Sequence, residues 1–258
     1  MIPLVFHFSY FRGSSNWAWR DLHTLCIRSC LANVKPERVV IHYDRDGEGP
    51  HWEDVRTLPG VEWRLETYEQ KVNGFDVRDQ RLPADVFRLN TLVKEGGFYC
   101  DLDFVFLKPF DIVRHNKAVI GIQCKQKMKL NCAILGCVAG SAYMQAYLDA
   151  YKVWSPTDAK TFWTYANRIP WDLALKMPTE VKIFDRVAFY PVTWSNKSFW
   201  EGSPVKFINS YCVHLWESLH PPLTVEGLKN TCLRQMIERL HEPSSGVVCK
   251  RPGILMTF

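Results

Sequence analysis

Strand-like and helix-like stretches take turns along the first 110 residues. Leu4 to Tyr10 reads as a strand, and Asn16 to Ala32 as a helix opened by Ser14 or Ser15, with Leu22, Leu25, Cys26 and Ser29 on its inner face. Arg38 to Tyr43 is a second strand running into a turn over Asp44 to Pro50, His51 to Thr57 a short helix, and Val61 to Tyr68 a third strand. In Asp85 to Glu95 the apolar Val86, Leu89, Leu92 and Val93 follow helical spacing, between Pro83 and a Gly96-Gly97 stop. This β-α-β succession predicts the α/β class: a mostly parallel central sheet with helices on both faces. Ligands in such sheets sit beyond the carboxyl ends of the strands. Ser9, Tyr10, Asp44 and Asp103 would emerge there.

From Phe98 the period changes to two. Phe98, Cys100, Leu102, Phe104 and Phe106 fall on one side and Tyr99, Asp101, Asp103 and Val105 on the other, until Pro109 ends the strand. Two carboxylates in such an apolar run are expensive to bury unpaired, so a cation should meet them. Two strand positions apart, their Cα atoms are roughly 6 to 7 Å from each other, within reach of one divalent ion or its water shell. Carboxylate and water ligands favour Mn²⁺ or Mg²⁺. The plainer reading is a pair of solvated acids at a strand end. Asp85 and Arg88 share a face of the preceding helix, Asp85 near its positive end, either as part of the same assembly or as a surface ion pair.

Composition narrows the picture. A length of 258 residues with 47% hydrophobic content and no long linker or repeat predicts one domain over residues 1–258. The apolar start MIPLVFHFSYF lacks a basic leader and reads as a strand, and no run reaches membrane-spanning length, so neither signal peptide nor integral membrane segment is expected. Nine cysteines without a C-x-x-C pair predict reduced thiols, a cytoplasmic setting and no zinc site. The sequon at Asn196 then carries no weight. A net charge of +5, clustered only at Lys125, Lys127 and Lys129, lacks the dense basic stripe of a nucleic-acid binder.

The run Asp85-Val86-Phe87-Arg88, followed by Glu95-Gly96-Gly97-Phe98-Tyr99-Cys100-Asp101-Leu102-Asp103 and Leu107-Lys108-Pro109, resembles the signature of the Asp-x-Asp glycosyltransferases of family 32. That family includes initiating mannosyltransferases and glucosylating clostridial toxins. Ile2 to His7, Asn131 to Ile134 and Val213 to Trp216 resemble its opening strand, its asparagine-led segment and its late histidine. The resemblance implies a GT-A-type nucleotide-sugar-binding domain with a Rossmann-like sheet. Residues 1–110 would be the donor half, and 111–258 the acceptor half and the closure of the metal site. It implies transfer of a hexose from a UDP- or GDP-sugar to a glycan or other hydroxyl, with retained anomeric configuration. Asp103 would be the main metal ligand, Asp101 would bind metal, ribose or both, and His214 would complete the shell. Asp85 and Arg88 would hold the sugar with Asn131 approaching it, and Ser9, Tyr10 and Phe11 would floor the base and ribose.

The acceptor side has only its aromatic residues to offer. Trp194 and Trp200 flank the polar stretch Ser195 to Ser198 and are the candidates for stacking a sugar ring. No side chain is recognisable as a covalent nucleophile; Asp158 and Asp172 are the acids to test, and a front-face transfer is the working expectation. Two alternatives remain: a catalytically inactive sugar-nucleotide or glycan-binding module, and a haloacid-dehalogenase-type phosphatase built on Asp101 and Asp103. The phosphatase reading expects its motif near the chain start and a later paired acidic motif, and this sequence has neither.

Overall fold

The computed structural model describes residues 1–13, 17–124, 126, 128–156, 162–202, 207–220 and 224–228. The elements follow in the order β1 (Val5–Tyr10), α1 (Asp21–Ser29), β2 (Arg38–Tyr43), α2 (Pro50–Arg56), β3 (Val61–Leu65), β4 (Lys71–Val72), β5 (Phe75–Asp76), α3 (Arg81–Glu95), β6 (Gly97–Cys100) and β7 (Phe104–Phe106). Then come β8 (Ala118–Cys124), β9 (Lys129–Cys137), α4 (Ala142–Tyr151), α5 (Ile169–Lys176), β10 (Lys182–Phe184), α6 (Arg186–Phe189), α7 (Lys197–Trp200) and β11 (Cys212–His214).

Seven strands form the central sheet in the order β10-β8-β9-β6-β1-β2-β3. β1 pairs in parallel with β2 and β6, β2 with β3, and β8 with β10, while β9 runs antiparallel to β6 and β8. The expected mostly parallel α/β sheet is therefore present, with one reversed strand inside it. The pleat separates two cores. Phe6, Phe8, Phe98 and Cys100 pack with α1 and α2 residues such as Cys26, Ile27, Trp52 and Val55. On the other side Tyr99, Leu135 and Cys137 pack with Leu89 and Leu92 of α3 and Tyr143 and Tyr147 of α4.

The stretch from Phe98 to Phe106 is not one strand. Asp101 N still donates to Ala133 O (2.8 Å), continuing the pairing of β6 with β9. By Asp103 the chain has changed partner: its carbonyl accepts from Leu215 N (2.8 Å), and β7 pairs antiparallel with β11. The alternation nonetheless survives the break. Phe98, Cys100, Leu102, Phe104 and Phe106 all join the same core, so both acids stay opposite it while the backbone turns between two sheets. The partial ladder of an edge exchange, not a uniform strand, places them.

Other boundaries shift as well. α1 begins at Asp21 with Trp17 to Arg20 outside it, so neither Ser14 nor Ser15, which lie outside the described residues, caps it. Aromatic packing explains the delay: Tyr10 donates to Trp17 O (3.0 Å), and its ring meets those of Trp17 and Trp19 at 5.0 and 5.1 Å. The helix then runs on into a π-helical turn, Cys30–Val34. α3 starts at Arg81, one turn earlier than Asp85; Pro83 sits in its first turn, where a missing N–H removes no helical bond. Asp85 is thus inside the helix instead of at its end. β3 stops at Leu65, and the strand that carries His214 is confined to Cys212–His214. Lys129 opens β9.

The seven described cysteines are free thiols. No described helix is long and apolar enough to cross a membrane.

Candidate active site

A cavity of about 340 Å³ opens beyond the carboxyl ends of β1 and β6, as strand direction required. Ser9, Asp85, Arg88, Asp101, Asp103, Asn131 and His214 all line it. Tyr10 and Asp44 do not. Tyr10 is buried in the core against Trp17, Trp19 and Trp52, and its place beside the cavity is taken by Phe11, stacked on Tyr68 with centroids 4.3 Å apart. Asp44 accepts the Arg12 and Gly13 N–H groups, both at 2.8 Å, and so holds the loop that follows β1.

One ligand atom each from Asp101, Asp103 and His214 falls within 4.8 Å of the others. The pairing of β7 with β11 brings this about, because it sets His214 opposite Phe104, the residue after Asp103. His214 Nε2 meets Asp103 Oδ1 at 3.0 Å, and its ring stacks on Phe104 at 4.5 Å. Asp103 Oδ2 accepts the Glu217 N–H at 3.0 Å. Glu217 is itself held by an ion pair with Arg20 and a 3.0 Å contact with His23 Nε2, both at the start of α1. The acid is thereby clamped from two elements distant in sequence.

The two carboxylates titrate apart. Burial would raise Asp103, but the charge and hydrogen bond of His214, with the Glu217 N–H, hold it below the usual range. Burial pushes Asp101 up to about 6, Arg88 opposing and the Asp103 charge reinforcing the rise. About a third of the Asp101 side chain is still open to the cavity. Two hard oxygen donors and an imidazole make a donor set that fits a divalent cation of the Mn²⁺ or Mg²⁺ type.

Arg88 ties Asp85 and Asp101 together. From the inner face of α3 it reaches Asp101 Oδ1 (3.1 Å), Asp85 Oδ1 (3.3 Å) and Cys132 O (2.7 Å), with its guanidinium 4.5 Å from the Tyr99 ring centroid. Asp85 is 1% exposed and receives the Tyr151 hydroxyl at 2.8 Å on Oδ2 and the Cys132 thiol at 3.5 Å on Oδ1. Burial raises its pKa, partly offset by Arg88. Asn131 uses Oδ1 to accept from Ala133 N (2.7 Å) and Nδ2 to donate to Gln123 Oε1 (3.2 Å). Ser9 and Tyr99 share a hydroxyl contact of 2.5 Å.

The acceptor-side candidates are not brought to the cavity. Trp194, 42% exposed, packs edge-on against Trp216, and Trp200 donates to Thr193 O and packs on Phe199. The tryptophans that do line the cavity are Trp17, Trp163 and Trp216. Asp172 pairs with Arg168 at 2.9 Å on an exposed face of α5, and Asp158 lies outside the described residues. Glu217, Asn167 and Tyr151 carry no motif that a sequence reading could have caught, and Cys132 showed only as a member of the Asn131 to Ile134 segment. They matter through long-range contacts, such as the 66-residue separation between Asp85 and Tyr151.

Residues 21–120 match the family described as glycosyltransferase sugar-binding region containing DXD motif. A curated relative, Glucan organizing enzyme 1 of Cryptococcus neoformans var. grubii, is 26% identical over 214 residues, covering 76% of this chain and 56% of the relative. The chain thus spans a little over half that relative's length. Among solved structures, the PaToxG glycosyltransferase shares the fold at a TM-score of 0.51 and 16% identity, with 69% of this chain and 70% of that one covered. An active-site mutant of LgtC does so at 0.51 and 13%, with 92% and 94% covered.

Proposed function

We propose that this chain, whose residues 21–120 match the DXD-containing sugar-binding region and which shares the fold of solved glycosyltransferases, moves a hexose from a UDP- or GDP-sugar to a hydroxyl of a glycan or similar acceptor, dependent on Mn²⁺ or Mg²⁺ and with retained configuration. The convergence of Asp101, Asp103 and His214 in one cavity carries this reading. A divalent ion held by these three would act as a Lewis acid on the diphosphate leaving group. Arg88 would donate toward phosphate or sugar oxygens, and its pairing with Asp101 and Asp85 pre-orients the fork for that task. The stacked Phe11 and Tyr68 offer an aromatic wall for the base, with Ser9 nearby for the ribose.

The anomeric carbon's bond to the leaving oxygen breaks as its bond to the acceptor oxygen forms, and the acceptor proton passes to the departing diphosphate. Asp85 is a poor covalent nucleophile, since Tyr151, Cys132 and Arg88 occupy its oxygens. Trp163, 46% exposed where it lines the cavity, is the residue best placed to stack an acceptor sugar. Free thiols at Cys26, Cys30 and Cys100 suit a reducing, cytoplasmic compartment.

A panel of UDP- and GDP-hexoses with Mn²⁺, read by release of free nucleoside diphosphate, tests the proposal. Release from at least one donor, lost in Asp103→Ala and in EDTA, supports it. Activity that survives either treatment sinks the metal-dependent mechanism. Near-normal turnover in Asp158→Ala and Asp172→Ala removes both acids as nucleophiles.

A further inference from the structure

Asn167 is 2% exposed and lines the cavity, in a π-helical turn over Thr164–Arg168 that precedes α5. Its Nδ2 donates to Leu130 O at 2.6 Å and to Gln123 Oε1 at 3.0 Å. Both partners are carbonyl oxygens, so the amide has only one sensible orientation: turned over, its own oxygen would face the Leu130 carbonyl. Both Nδ2 hydrogens are spent. The Asn167 Oδ1 that remains is buried and has no hydrogen-bond partner. Buried acceptors are nearly always satisfied, and one without a partner on a residue that lines a cavity calls for a donor from elsewhere. π-helical turns recur at functional sites, because the extra residue re-aims a side chain that a regular helix would send elsewhere.

This amide is wired to the donor side. Gln123 Oε1 also accepts from Asn131 Nδ2 (3.2 Å), Asn131 Oδ1 accepts from Ala133 N (2.7 Å), and Ala133 O accepts from Asp101 N (2.8 Å). The adjoining Cys132 carbonyl takes the Arg88 guanidinium. The position of Asn167 is therefore fixed relative to Asp101 and Arg88 by an unbroken line of hydrogen bonds, none of it available to the open oxygen.

We infer that Asn167 Oδ1 accepts a hydrogen bond from one hydroxyl of the donor hexose and so determines which ring position must carry that hydroxyl. An amide oxygen accepts only, so the group it selects is a neutral donor such as a sugar O–H, not a phosphate oxygen or a carboxylate. The inference rests on the proposed transfer from a nucleotide hexose.

The test compares UDP-glucose, UDP-galactose and GDP-mannose, whichever the wild-type enzyme turns over, with their 2-, 3-, 4- and 6-deoxy forms, in wild type and in Asn167→Ala. Wild type should lose about tenfold in kcat/KM on one deoxy donor, the scale of one hydrogen bond to a buried partner. In Asn167→Ala that particular ratio should collapse toward one while the ratios at other positions persist. Affinity for free UDP or GDP with Mn²⁺ should be unchanged, which shows that the variant is folded; Asn167→Ser carries the same comparison where the alanine variant does not fold. Deoxy ratios identical in wild type and variant at every position overturn the role of Asn167 and leave the transferase reading standing. No turnover of any nucleotide hexose by wild type overturns both.

Discussion

Asp103 and His214 are separated by 111 residues, yet Oδ1 of one and Nε2 of the other are 3.0 Å apart. Strand pairing makes the contact: β7 and β11 are each three residues long, and their antiparallel register leaves His214 no other neighbour across the ladder than Phe104. Asp103 is also the acid held below the usual carboxylate range, and it is therefore anionic throughout the neutral range. Asp103→Ala should lower nucleoside diphosphate release on the order of 10²-fold or more, as loss of a charge-stabilising group in a dry site does. His214→Ala should lower it less and raise the Mn²⁺ concentration for half-maximal rate. Metal titrations of the two variants check the order; equal loss without any change in Mn²⁺ dependence contradicts it.

Arg88 is the most heavily committed cation near the cavity, with Asp85 behind it and Asp101 in front. Arg88→Met leaves Asp85 buried with its charge partner gone. Breaking a buried pair in this way costs about 3 to 5 kcal/mol. Adding Asp85→Asn removes the stranded charge and should recover part of that loss. Arg88→Lys should behave more like the methionine variant than like wild type, since one ammonium cannot serve Asp101, Asp85 and the Cys132 carbonyl together. Urea unfolding of the four proteins measures the series, and a lysine variant as stable as wild type would count against the three-way contact.

How much of this was legible in advance depends on the range of the interaction. The period-two pattern around Asp101 and Asp103 told which side each residue would face, because side-chain alternation is local. It could not tell that the strand changes partner between the acids, since that depends on Leu215 arriving from the far end of the chain. The helix carrying Asp85 and Arg88 was visible from its apolar spacing. Its true start at Arg81 was hidden by Pro83, which reads as a breaker but fits a first helical turn. Trp17 to Arg20 looked helical, while rings packing on Tyr10 hold them outside the helix. Glu217 and Asn167 had no signal at all: a lone glutamate and a lone asparagine acquire meaning only from the partners folding gives them.

Acid should destabilise the fold through a pair of histidines away from the cavity. His7 on β1 and His42 on β2 contact each other at 3.1 Å (Nδ1 to Nε2), and His42 Nδ1 meets Glu66 at 2.7 Å. Burial, reinforced by His42 and opposed by Glu95, pushes the fully buried His7 down to about 4 from 6.5. His42 is lowered too, mainly by burial. Both are neutral in the folded chain, whereas the unfolded chain protonates near 6.5, so the unfolded state binds more protons between those values and stability falls as pH drops through that window. For His7 alone the loss approaches about 3 kcal/mol by pH 4. His7→Gln should flatten the stability profile between pH 7 and 5. A profile parallel to wild type over that interval rules out His7 as its source.

Gly97 opens β6, the strand that delivers Asp101 to the cavity, with φ at +94°. A Cβ there would lie 2.6 Å from the Val5 carbonyl oxygen of β1 and 3.3 Å from His7 Nε2. Backbone cannot retreat as a side-chain tip can, so Gly97→Ala must shift β6 against β1. Gly49 provides the comparison: its φ is +91°, nearly the same, but an added Cβ meets nothing within 4 Å. Gly49, with ψ at 173°, lies in the positive-φ extended region that only glycine readily adopts, so Gly49→Ala should cost only that conformational penalty, about 1 to 3 kcal/mol. Gly97→Ala should exceed it by at least ~2 kcal/mol through the added collision, and because β6 leads into the motif, its remaining folded fraction should also lose activity. Denaturant midpoints and specific activity of the two variants separate these effects. Equal destabilisation would mean that the backbone angle, and not the close approach of β1, requires glycine at position 97.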